Sequence, residues 1–375
     1  MNNLTRYPLL FLLVLPCLLF SQTKDFSKVD EFARNVPNSK TTSISKLANY
    51  LTADFADEEQ KVRSIYVWIA DNIRYNYKVI RKENISVEDR IKKEQATKVL
   101  KTKLAVCEGY SNLFKALCDE SGVTCEIVTG KSKDSRGRIP RIGHAWNAVR
   151  VNGQWYPVDV TWGAGGISSE KQKYVKNFRE EFFLGEPAFF IQHHYPKDPV
   201  FQFLDLPITL KEFSSNKTIA IEKNTDEPAV FENITDTLNH YASLDEKGKM
   251  LNSCQRILRF DPDNDYANYK VAKIHYDEAI DNWEAYQHES KEVIEKKSPL
   301  TWEKIEKWEG QIEVFKKGLE MTKKHLNKIP SGSKYASTKR RILSSIERNN
   351  SIHKMLDKQF ADYKNFLTQT GAPKN

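Results

Sequence analysis

Apolar residues recur at helical spacing in two early stretches. Between 58 and 74, Val62, Ile65, Tyr66, Ile69 and Ile73 share one face, and Glu58 and Glu59 sit in the first turn, where the helix dipole favours acids. Between 107 and 120, Tyr110, Leu113, Phe114, Leu117 and Cys118 make a second stripe, and Gly122 supplies a stop. A shorter helix is predicted over 43–53, whereas the charged stretch 78–95 lacks a period and reads as an exposed loop with some helix. After Gly122 the period changes to two. Val123, Cys125 and Ile127 alternate with more polar neighbours and predict a strand, followed by a basic loop from Lys131 to Arg141. Two further strands, 144–151 and 154–161, flank Asn152-Gly153, a strong hairpin signal. Residues 178–214, rich in aromatics and proline, predict an irregular coat on the sheet. From 233 the helical period returns and persists, with helices over 243–259, around Tyr266 to Ala279, over 300–328 and over 334–366.

This order predicts an α+β first half, 22–214, joined by a polar linker at 215–232 to an α-helical domain at 233–375. Asp261-Pro262-Asp263-Asn264 lies between two of the later helices, and that pair resembles one tetratricopeptide-type hairpin without a second copy. The first 21 residues differ from the rest. Arg6 precedes an apolar run from Leu9 to Phe20, broken only by Pro16, and polarity resumes at Ser21. That run suits a signal peptide better than a bilayer span, so an exported protein, periplasmic or extracellular, is expected. Pro16 is a poor neighbour for lipid attachment at Cys17, which is not expected. No later segment has the length and apolarity of a transmembrane span. The net charge of +8 comes without a compact Lys/Arg run, so nucleic acid is not an expected partner.

Beyond the leader the cysteines are Cys107, Cys118, Cys125 and Cys254. With Cys107 a free nucleophile, the remaining three cannot all pair, which argues against a disulfide-built scaffold, although a Cys118–Cys125 bridge is conceivable. Cys107 opens an amphipathic helix, where the dipole favours a thiolate. In the hairpin, a two-residue turn pairs Val151 with Gln154. Counting outward sets Trp146 opposite Asp159 and His144 opposite Thr161, all on one face, with His144 and Asp159 diagonal neighbours. Pro157 cannot donate to the ladder, which points to a bulge or an edge strand. The other face, Val149, Val151, Tyr156, Val158 and Val160, is apolar. An aspartate in such a strand can orient an imidazole toward a thiol. His193-His194 lacks an acidic partner at metal spacing and reads as structural; no metal or cofactor is expected, since neither a phosphate-binding glycine loop nor a dinucleotide fingerprint is present.

Ala105-Val106-Cys107-Glu108-Gly109-Tyr110, Gly143-His144-Ala145-Trp146-Asn147 and Trp155-Tyr156-Pro157-Val158-Asp159-Val160-Thr161-Trp162 together resemble the transglutaminase-like superfamily. The order Cys, His, Asp matches, as do Ile65-Tyr66-Val67-Trp68-Ile69-Ala70 and Asn72-Ile73-Arg74-Tyr75 upstream. Within it, the chain is similar to a bacterial branch related to the kyphoscoliosis peptidase group, whose C-terminal extension Phe183-Leu184 to Pro187, His194-Tyr195-Pro196 and Leu206-Pro207-Ile208-Thr209 resemble. The resemblance implies a papain-like α+β core over about half the chain, with Cys107 as nucleophile, His144 as base and acid, and Asp159 as the orienting carboxylate. Trp146 and Trp162 would wall the cleft, and the Cys107 N–H would serve as an oxyanion donor. The implied reaction is acyl transfer or hydrolysis at amide bonds of a protein or peptide. The alternative is a non-catalytic cell-envelope module binding a protein partner through the helical half.

Overall fold

The computed structural model describes residues 24–76, 87–168, 173–215, 232–296 and 298–374. The expected signal segment and Cys17 lie outside the described residues, as do nearly all of the expected linker and much of the loop expected at 78–95. Among the described residues no helix is long and apolar enough to cross a membrane.

The first half is α+β. Two short strands, β1 (Arg74–Tyr75) and β2 (Leu104–Ala105), pair in parallel just ahead of Cys107. The main sheet contains β3 (Cys125–Ser132), β4 (His144–Val151) and β5 (Gln154–Val158). A hairpin of β6 (Gly165–Ser168) and β7 (Lys173–Lys176) stands beside it, and β8 (His194–Pro196) completes the main sheet in the antiparallel order β5-β4-β3-β8. Asn152 and Gly153 both have positive φ, 50° and 84°, as a tight hairpin turn demands. The register of β4 and β5 runs from Val151↔Gln154 to Asn147↔Val158, as the two-residue turn predicts. Pro157 sits on the sheet's edge strand, where its missing N–H leaves no ladder bond unmade.

Three expectations are corrected here. The strand expected over 154–161 stops at Val158, because Asp159 caps a short helix, Val160–Ala164. The strand after Gly122 runs past Ile127 to Ser132, taking in the start of the expected basic loop. The aromatic coat also contributes β8, although at three residues it has no readable period. In the stretch expected to be an exposed loop with some helix, residues 87–94 form the helix Val87–Glu94, and a helix Ala96–Thr102 follows it.

One face of the sheet packs on the helices Glu58–Asn72 and Cys107–Glu120, burying Val149, Val151 and Val158, with Val160 of the short helix beyond β5, against Ile65, Ile69, Leu113 and Phe114. On the other face Trp146, Ala148 and Trp155 pack against Phe182, Phe190, Val200 and Phe201 of the coat. Arg63, almost fully buried, pairs with Asp30 of the Ser27–Arg34 helix at 2.7 Å and with Glu180 of the coat, binding the two together.

Helices Ile234–Ser243 and Glu246–Phe260 lie against the main-sheet half. Trp155 Nε1 donates to Asn239 at 3.0 Å, and Lys249 pairs with Glu126 at 2.7 Å. Arg256, buried, grips Asp198 with Nη2 to Oδ2 at 2.7 Å. Three long helices follow, Asp265–Glu295, Trp302–Asn327 and Ala336–Gln369. They hold two cores of their own, one around Phe315 and Leu319 and one around Trp308 and Phe360. A Cβ at Gly318 would lie 2.8 Å from Ala279 Cβ, so glycine permits the close crossing of the first two.

Candidate active site

The Cys107–Glu120 helix begins at Cys107 itself, behind an extended Val106 that offers no side-chain cap. The N–H groups of its first turn, that of Cys107 included, therefore have no acceptor within the helix. Several contacts fix this end. Arg74 and Tyr75 pair with Leu104 and Ala105, and the Val106 N–H donates to the buried Glu94 carboxylate at 3.0 Å. A Cβ at Gly109 would fall 2.2 Å from Glu94 Oε2, which accounts for glycine two residues after the cysteine. Tyr110 donates to the Ile73 carbonyl at 2.7 Å, and buried Asn147 of β4 donates to the Ser111 carbonyl at 3.2 Å. The helix and the histidine strand are thus tied to each other.

His144 is the first residue of β4 and Asp159 the first after β5, so the hairpin brings them together across one strand pair. His144 Nε2 lies 2.7 Å from Asp159 Oδ2, and the Cys107 side chain is near enough to favour the protonated His144 ring. With Nε2 engaged by the carboxylate, Nδ1 is the nitrogen left for sulfur. Asp159 is fully buried, and its Oδ1 accepts from the Thr161 and Trp162 N–H groups at 2.9 and 3.1 Å. The residue that ends the strand as an N-cap therefore also orients the histidine.

A second histidine, His194, completes the cluster. Its Nε2 reaches the same Asp159 Oδ2 at 2.9 Å. Sequence reasoning set it aside as structural for want of an acidic partner, and β8 supplies one by bringing the ring across the sheet. Its mark in the chain is the resemblance of His194-Tyr195-Pro196 to the extension of the kyphoscoliosis peptidase-related branch. His144, Asp159 and His194 form a cluster of the kind that can hold a metal ion. Both Nε2 atoms, however, point at one oxygen over hydrogen-bond distances, which fits shared protons rather than a cation set among three ligands.

Burial pushes the His144 imidazolium toward losing its proton, but the charge and hydrogen bond of Asp159, with Cys107 alongside, prevail and raise its pKa to about 10. Burial works against the Asp159 anion too. The charge of His144 and the bonds from both histidines hold it well below the usual carboxylate range. His194 is dominated by burial, which pushes it down to about 4. Burial, then the nearby Cys107, raises the Tyr75 phenol well above its ordinary value.

The two tryptophans differ. Trp146, expected to wall the cleft, is 1% exposed and packs against the histidines, 5.8 Å from the His144 ring and 5.0 Å from that of His194. Half-buried Trp162 lies 5.4 Å from the His144 ring and 4.6 Å from that of His194. Cys118, Cys125 and Cys254 are free and buried, and the Cys118 and Cys125 side chains touch.

Residues 45–160 match the transglutaminase-like superfamily. Over 198 residues the chain is 31% identical to the kyphoscoliosis peptidase of Homo sapiens, a match covering 52% of this chain and 29% of that protein. Over 214 residues it is 28% identical to hillarin of Drosophila melanogaster, covering 52% of this chain and 25% of that one. The chain thus spans less than a third of the length of these curated relatives. A solved TGase structure is 18% identical, with a TM-score of 0.27 over 44% of this chain and 40% of that one. Cys107, His144 and Asp159 all fall within the matched region.

Proposed function

We propose that this chain, which carries a transglutaminase-like domain, is an exported cysteine enzyme that cleaves or transfers acyl groups at amide bonds of proteins or peptides. One observation carries the reading: His144 is held by Asp159 through Nε2, and Cys107, at a helix N-terminus, is near enough to favour its protonated ring. Cys107 Sγ, as thiolate, attacks the carbonyl carbon, whose electron pair moves onto oxygen. The N–H groups of the first turn, which have no acceptor within the helix, offer donors to that oxyanion. The His144 imidazolium then passes a proton to the departing amine, the C–N bond breaks and a thioester remains. Water or a second amine attacks the thioester, gives its proton to His144 and releases Cys107. Water gives hydrolysis and an amine gives cross-linking; both use the same groups.

Intact-mass analysis of the mature protein with glutamine-containing and other peptides, with and without an added amine, tests the proposal. An acyl adduct on Cys107, absent in C107A and H144A, is expected. The product, carboxylate or substituted amide, identifies the acceptor. The competing reading, a non-catalytic envelope protein that binds partners, draws on the exposed apolar side chains Met355 and Phe366 of the last helix. That reading prevails if no adduct forms and C107A retains the protein's effect in cells.

A further inference from the structure

His194 has no part in the chemistry just described, yet it is as deeply buried as the catalytic groups. Asp159 is ionised, so an imidazole nitrogen 2.9 Å from its Oδ2 must carry the hydrogen. His194 is therefore a donor through Nε2, and its Nδ1 is buried and without a hydrogen-bond partner among the described residues, an environment that favours the neutral ring with Nδ1 bare. Oδ1 already takes two backbone N–H groups and Oδ2 takes two imidazoles, which fills the four acceptor positions of a carboxylate. No freedom to rotate is left. The His194 ring is itself caged, with ring centroids of Trp162 at 4.6 Å, Phe190 at 4.9 Å and Trp146 at 5.0 Å. Its strand is fixed at the far end by Asp198, the residue that Arg256 grips. The titratable groups facing it are Asp159, His144 and His193.

We propose that His194 is a positioning residue: its Nε2–H locks the Asp159 carboxylate in the orientation that aligns His144 with Cys107. The inference rests on the cysteine-enzyme reading. It assigns the second histidine a task that neither a metal ligand nor a packing residue would perform, since only the donated hydrogen matters. Glutamine can place a donor near the same point, whereas phenylalanine fills the cage without one.

The test compares wild type, H194Q, H194F and H144A by the rate at which iodoacetate, an anionic reagent favoured by a thiolate–imidazolium pair, alkylates Cys107 across pH. Loss of a hydrogen bond to a charged group corresponds to about tenfold in rate or about one pH unit. H194F is expected to lose at least that factor, with its alkaline limb displaced to lower pH, and H194Q to keep the wild-type profile. A folded H194F with the wild-type profile overturns the proposal, as does an equal loss in H194Q and H194F, which would mark a packing role. Wild type no faster than H144A overturns the cysteine-enzyme reading and this inference with it. Should H194F fail to fold, nitrogen-15 spectra of histidine-labelled wild type decide. Nε2 protonated and Nδ1 bare at pH 6 supports the assignment, and a doubly protonated His194 there overturns it.

Discussion

Arg256 and Asp198 form a buried, two-pronged ion pair, with Nη2 2.7 Å from Oδ2 and Nε 3.1 Å from Oδ1, that fastens a helix beyond residue 245 to the strand of His194. Removing one partner leaves a buried charge unpaired. R256M is therefore expected to lower unfolding free energy by about 3–5 kcal/mol, and D198L/R256M to lower it by less than the single change. Urea titrations of the three proteins check this.

Asp159 serves as helix cap and imidazole acceptor through different oxygens. In D159N the amide oxygen preserves the cap, but the amide N–H₂ faces two imidazole N–H groups. His144 must then carry its hydrogen on the nitrogen facing Cys107, where it blocks proton transfer from sulfur. Cys107 reactivity at neutral pH is expected to fall on the order of 10²–10⁴-fold with little change in helix content. Alkylation rates and circular dichroism separate the two effects.

Stability should depend on pH through both histidines. His144 has a folded pKa raised to about 10 from 6.5, so its contribution is complete below pH 6.5 and is lost as pH rises through 10. His194 has a folded pKa lowered to about 4 from 6.5, so the unfolded chain takes up its proton first and stability drains away as pH falls between those values. From pH 7 to pH 5 that loss is about 2 kcal/mol, and it should be absent in H194Q, as urea unfolding at the two pH values would show.

Gly163 lies in the helical turn that Asp159 caps, directly beneath Tyr66. An added Cβ would stand 2.5 Å from the Tyr66 ring carbon Cζ and closer still to its hydroxyl, which donates to the Arg179 carbonyl. The ring has no room to retreat, as Tyr66 is fully buried. G163A is expected to cost about 1–3 kcal/mol and to slow Cys107 alkylation through a displaced Asp159. Thermal melts read alongside alkylation rates measure both.

The fold was readable wherever one local period governed a whole element. The Cys107–Glu120 helix and the His144–Val151 strand have the bounds their apolar patterns imply, and Asn152-Gly153 determines the hairpin register. The patterns failed where long-range contacts decide. Asp159 looked like a strand residue because its side chain sits on the correct face, yet its carboxylate turns the chain into a helix. His194 pairs with Ser132 across a separation that no local period encodes, so its bond to Asp159 was invisible to the sequence. The N-terminal helix Ser27–Arg34 is short, and tertiary contacts such as Arg63 to Asp30 hold it in place.

The central claim is that His144 activates Cys107. Brief iodoacetamide treatment at pH 7, read by mass spectrometry of the Cys107 peptide in wild type and H144A, tests it most directly. The account predicts wild-type labelling at least about tenfold faster than in H144A, a factor that about 1.4 kcal/mol of thiolate stabilisation by the imidazolium would supply. Equal and slow labelling of the two proteins would contradict it, leaving a transglutaminase-like fold whose cysteine is an ordinary thiol.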